Sequence, residues 1–218
     1  MLATQLLASG ITHLTDARYF AAWEVKYLAF PLGEETEGEA ITLEMFNALR
    51  EWIEGPAIVA ELGNISDGSA WGAVLKGEGV NIALITSTAP VSAPRELTEA
   101  GIRVFSRVKV AGYDSVDDVA DAIREHPTAE LILLDFESGG INWNDLNEGS
   151  PFGLDELKHL LGIRPCLLQI DIAGADPIDI KNGVPIAGFA IRGSSEEKVG
   201  YKSFDDLDGL FEGLEVFE

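Results

Sequence analysis

Eight short apolar runs recur along the chain, each followed by a stretch of helical periodicity, and this alternation restricts the chain to βα units wound around a parallel sheet. The runs are QLLAS (5–9), KYLAF (26–30), AIVAEL (57–62), NIALIT (81–86), IRVFSRV (102–108), ELILLD (130–135), LLQID (167–171) and IAGFAI (186–191). Helical patterns fall around 15–24, 42–53, 65–76, 94–100, 115–126, 153–161, 176–182 and 203–214. Thr42 stands before LEMFNALREWI, and Ser115, with Asp118 three residues on, stands before DVADAIREH, so both helix starts carry capping side chains. An open doubly wound sheet usually has fewer strands. Eight repeats in 218 residues therefore predict the α/β class, a single closed (β/α)8 TIM barrel over residues 1–218 with its termini near one another. The stretch FESGGINWNDLNEGSPFG (136–153) reads as a long irregular loop after the sixth strand, of the kind that is usually functional or mobile.

Charge excludes several function classes. The formal net charge of −22 repels nucleic acid and anionic membranes, so neither is an expected partner. High-salt adaptation gives the same balance as a merely acidic surface, and both readings stay open. No apolar run approaches the length of a membrane span. The opening MLATQLLASG has no basic residue before its apolar run, which argues against a secretory signal, and a cytoplasmic location is expected. One cysteine, Cys166, forms no intrachain disulfide, and three scattered histidines show no ligand spacing, so no metal and no cofactor are expected. The chain is expected to be a monomer or homodimer.

In a βα barrel chemistry belongs at the C-terminal strand ends. Here these carry Ser9, Phe30, Glu61, Thr86, Arg107 with Lys109, Asp135 with Glu137, Asp171 and Arg192, a charged ring able to hold a polar ligand. In IRVFSRVKV, Phe105, Arg107 and Lys109 share one face. Pointing inward, that face binds an anion; pointing outward, it pairs with acidic helices, and the outward arrangement is the expected one.

The succession SGIT and DA at 9–17, YLAF at 27–30, LILLDFESGG at 131–140, IAGADPIDI at 172–180 and RGSSEEKVGYKSF at 192–204 resembles phosphoribosylanthranilate isomerase, a tryptophan-pathway barrel, over nearly the whole chain. The family's reaction is an Amadori rearrangement in which an aspartate acid protonates the ribose ring oxygen and a cysteine base takes the proton from C2. The resemblance places the acid on Asp135 and the base on Ser9, a hydroxyl too weakly acidic to serve unaided. His13 lies four residues on, as a loop or helix-start neighbour, and Cys166 begins the seventh strand, at the wrong end.

Other departures accompany this one. The family's serine-proline-arginine after strand two becomes PLGEETEGEAIT, whose Glu34, Glu35, Glu37 and Glu39 repel a carboxylated substrate. The family's strand-eight aspartate falls on Ala190, and its serine-serine-glycine phosphate turn on Arg192-Gly193-Ser194. Gly174 and Ala175, with Gly193 and Ser194, are either a phosphate cradle assisted by Arg192 and Arg107 or only tight turns. The resemblance thus implies an isomerase-like barrel degenerate for the parent reaction, whose partner is a small phosphorylated sugar-type ligand. A working isomerase using Asp135 with an altered base, and a noncatalytic interaction protein, are the alternatives.

Overall fold

Alternation within the apolar runs becomes the two-sided wall of a barrel. A computed structural model describes residues 1–33, 36, 39–193, 196–198, 201–202 and 204–216. Its eight parallel strands are β1 (Gln5–Ser9), β2 (Tyr27–Pro31), β3 (Ala57–Gly63), β4 (Ile82–Thr86), β5 (Arg103–Lys109), β6 (Leu131–Asp135), β7 (Cys166–Gln169) and β8 (Gly188–Arg192). They pair in chain order, and β1 pairs with β8 to close the barrel, as the eight repeats require. Leu7, Val59, Leu84, Phe105, Leu133 and Leu167 belong to the cluster that fills the interior. Their strand neighbours, such as Leu6, Ala8, Val104 and Leu134, pack outward against the helices.

The helices are α1 (Leu14–Ala22), α2 (Leu43–Arg50), α3 (Gly68–Gly77), α4 (Ser92–Glu99), α5 (Val116–Glu125), α6 (Trp143–Glu148), α7 (Leu154–Leu161), α8 (Pro177–Gly183) and α9 (Asp205–Leu214). Both expected caps form. The Thr42 side chain accepts from Met45 N–H, and Ser115 and Asp118 make a reciprocal capping box. The termini meet: Ala3 N–H donates to Leu214 O at 2.8 Å, and Leu2 bridges Glu215.

Two elements depart from the sequence expectation. The 136–153 stretch is not a structureless loop, because it contains a 3-10 turn (Glu137–Gly139) and α6. Asn142 and Asp145 form a capping box at the start of α6, Trp143 and Leu146 are buried, and Gly149 stops the helix at φ 87°. A short antiparallel pair, β9 (Glu196–Lys198) and β10 (Tyr201–Lys202), also precedes α9, where no strands were expected.

The third difference bears on the site. The Phe105–Arg107–Lys109 face does not point outward. Phe105 lies in the interior cluster and Arg107, only 3% exposed, is ion-paired inside the mouth. It is Ser106, on the other face, that points toward the helices, where its hydroxyl lies 2.9 Å from Nδ1 of buried His126.

Candidate functional site

The inward parity that places Leu7, Val59, Phe105, Leu133 and Leu167 in the core places Ser9, Glu61, Arg107, Asp135 and Gln169 one layer nearer the C-terminal mouth. All five are buried, and two of them form an ion pair. Arg107 Nη1 lies 2.6 Å from Glu61 Oε1, and Gly10 N–H donates to Glu61 Oε2 at 3.2 Å. The charged group beside the first strand end is therefore Glu61, brought from β3. Sequence periodicity put Glu61 at a strand end but contained no signal for its partners, which come from the residue after β1 and from β5.

Asp135 ends β6, opposite Lys109 on one side and Gln169 on the other. Ser138 N–H donates to its Oδ1 at 2.9 Å and the Ser138 hydroxyl to its Oδ2 at 2.6 Å. Arg192 reaches over from β8, placing Nη2 3.4 Å from Asp135 Oδ2 and Nε 3.9 Å from Glu137 Oε2, and it also bonds the Ser138 hydroxyl. The turn that carries Ser138 is seated directly on the end of β5: a Cβ added to Gly139 would stand 2.1 Å from Val110 O. Gln169 Nε2 donates to Glu137 at 3.1 Å, whereas its buried Oε1 meets no donor among the described residues.

Ser9 is not poised as a base. Its hydroxyl donates to Ile191 O at 3.2 Å, and no His13 contact assists it, since His13 is exposed at the start of α1. Cys166 is buried at the N-terminal end of β7, in register with Ile132, while Asp135 is in register with Gln169 at the other end. Burial pushes its thiol up to about 12. At pH 8 the folded protein should thus present a protonated, inaccessible thiol. Labelling by a disulfide reagent is expected to be at least about a hundredfold slower than in urea, where the ordinary value near 8.5 returns. Rapid native-state labelling would show the β7 wall to be open.

Two backbone donors of the expected phosphate cradle are paired within the protein. Gly193 N–H donates to Ser9 O at 2.8 Å and Ala175 N–H to Ile172 O at 2.9 Å. Gly174 adopts φ 78° with open space beside it and, with Gly193 and Arg192, lines a cavity of about 840 Å³. That cavity also presents Glu137 and Asp171. Ser194 lies outside the described residues, as do Glu34, Glu35 and Glu37. Arg107 does not reach this cavity; it lines a second one, of about 420 Å³, with Lys109. Among the described residues no group of three or more His, Cys, Asp or Glu is placed to hold a metal ion, and no helix is long and apolar enough to cross a membrane.

These features define a closed (β/α)8 barrel with a polar mouth whose charges are largely paired with one another. Its fold is that of phosphoribosylanthranilate isomerases. The solved enzyme from Thermus thermophilus superposes with a TM-score of 0.71 at 20% identity, over 96% of this chain and 98% of that one. The Pyrococcus furiosus enzyme gives 0.68 at 14%, over 97% and 98%, and the Thermotoga maritima enzyme 0.67 at 18%, over 97% and 98%. No sequence model of a known family and no curated protein sequence matches the chain.

Proposed function

We propose that this protein is a diverged phosphoribosylanthranilate isomerase-like barrel that has given up the parent Amadori rearrangement and binds a phosphorylated sugar-type ligand at its mouth. The observation that carries the reading is the Asp135 environment. A general acid must donate a proton in the transition state. Asp135 instead accepts from Ser138 N–H and the Ser138 hydroxyl and pairs with the Arg192 guanidinium, so both of its oxygens are already engaged by groups of the protein. At the base position the Ser9 hydroxyl already spends its proton on Ile191 O.

Ligand binding rests on the cavity between the β6, β7 and β8 loops, where Arg192 is the cation among the described lining residues and Gly174 leaves room for close approach. An anion there draws Arg192 from Asp135 and competes with Glu137 and Asp171, so the affinity is modest. Turnover of phosphoribosylanthranilate is the test. The protein is expected to leave a strain lacking the pathway isomerase dependent on tryptophan, and purified protein should show no fluorescence loss from the substrate. Robust growth without tryptophan would reverse the reading and make the mouth a working acid–base site.

A further inference from the structure

Gln169 buries an amide on the inward face of β7, two residues beyond Leu167 of the interior cluster. Its Nε2 donates to Glu137 Oε2 at 3.1 Å, and this fixes the orientation of the amide, because a carboxylate accepts and only the NH2 end can donate. The Oε1 end is buried as well and meets no donor among the described residues. A buried carbonyl has given up its hydrogen bonds to solvent, and that loss stands until another donor arrives.

The amide stands at the floor of the cavity of about 840 Å³ between the β6, β7 and β8 loops. Its partner Glu137 lines that cavity, and so does Ala190 of the interior cluster. Continuing the Leu168–Phe189 pairing by one residue sets Gln169 beside Ala190, whose side chain is only a methyl group. Glu137 caps the amide on the cavity side. Its Oε2 accepts from Gln169 and lies 3.9 Å from Arg192 Nε, so one carboxylate oxygen faces both groups.

We propose that Gln169 is a concealed recognition residue, which takes two adjacent hydroxyls of the ligand once Glu137 has turned away; this rests on reading the cavity as the site of a phosphorylated sugar-type ligand. An anion that draws Arg192 also takes the cation from Glu137. The Glu137 carboxylate, left beside a second negative charge, turns to solvent and uncovers the amide. Gln169 then offers an acceptor at Oε1 and, at Nε2, the donor that Glu137 has vacated. Two adjacent hydroxyls match this pair, one donating to Oε1 and the other accepting from Nε2. An ionised phosphate oxygen has no proton for Oε1, so the charged end of the ligand belongs to Arg192 and the hydroxylated end to Gln169. A site built to bond a hydroxyl discriminates against the analogue that lacks it, because its buried polar group is then left unpaired.

The test is calorimetric titration of the full chain with ribose 5-phosphate and 2-deoxyribose 5-phosphate. In the ribose ring every adjacent pair of free hydroxyls includes the one that the deoxy sugar lacks. The wild-type protein should bind ribose 5-phosphate at least about tenfold more tightly than the deoxy sugar. Gln169→Leu, similar in size, should lose most of that preference and leave the affinity for inorganic phosphate unchanged. Equal binding of the two sugars by the wild-type protein, or an undiminished preference in Gln169→Leu, would overturn the role of Gln169 and leave the phosphorylated-ligand reading in place. A second readout needs no phosphate: in Glu137→Ala, where the cap is gone, the Gln169 side-chain NH2 resonances should shift on titration with neutral ribose. If neither sugar phosphate binds the wild-type protein, the phosphorylated-ligand reading falls. The ribose titration then decides Gln169 by itself: a shift keeps it as a hydroxyl-recognition residue, and no shift overturns it.

Discussion

Arg107→Met should destabilise the barrel by about 3–5 kcal/mol, because it strands Glu61 as an uncompensated charge inside the mouth. The pair is 3% and 1% exposed with 2.6 Å between Nη1 and Oε1, and it sits directly above the apolar layer that contains Phe105 and Val59. Losing the guanidinium leaves the Glu61 carboxylate with Gly10 N–H and, among the described residues, no cation. The double variant Glu61→Gln/Arg107→Met removes the charge together with its partner and should recover most of the loss, since a buried pair replaced as a unit is often nearly neutral. Arg103→Met is the control. Its ion pair with Glu130 is 42% and 52% exposed and should be worth no more than about 1 kcal/mol. Urea unfolding of the variants measures the contrast, and an Arg107→Met cost no larger than that of Arg103→Met would mean that the mouth is wet and Glu61 solvated.

Ser9→Cys, which puts a thiol at the first strand end, should leave kcat/KM for phosphoribosylanthranilate at least about 10²-fold below that of an ordinary isomerase. A general acid or base is commonly worth about 10²–10⁴ in rate, so a thiol alone does not offset an acid position whose oxygens are held by other groups of the protein. With Arg192 across it and Ser138 donating to both of its oxygens, Asp135 is engaged within the protein before any substrate arrives. The backbone around residue 9 is also engaged, with Gly193 N–H on Ser9 O, so the β1 and β8 ends move together. Adding Arg192→Ser to Ser9→Cys removes the guanidinium from Asp135, leaving the Ser138 bonds, and is the variant expected to recover measurable turnover. Steady-state fluorescence kinetics on the single and double variants decide it. A single variant already at the rate of an ordinary isomerase would mean that Arg192 swings clear of Asp135 whenever substrate binds.

The sequence determined the barrel. Strand parity, helix period and caps such as Thr42 and the Ser115–Asp118 box are local properties, readable wherever the code is a spacing of two or three to four residues. The same reading placed Asp135 and Ser9 at strand ends. It passed over α6 because six residues give too short a period, although Asn142, Asp145 and Gly149 were present as start and stop signals. Which way the Arg107 face points, and what each mouth charge pairs with, were decided only in three dimensions. Glu61 and Arg107 are 46 residues apart, and Asp135 and Arg192 are 57 apart. Such partners are chosen by barrel closure, which brings strand ends from across the chain into one desolvated layer where every charge must find a counterion or a hydrogen bond.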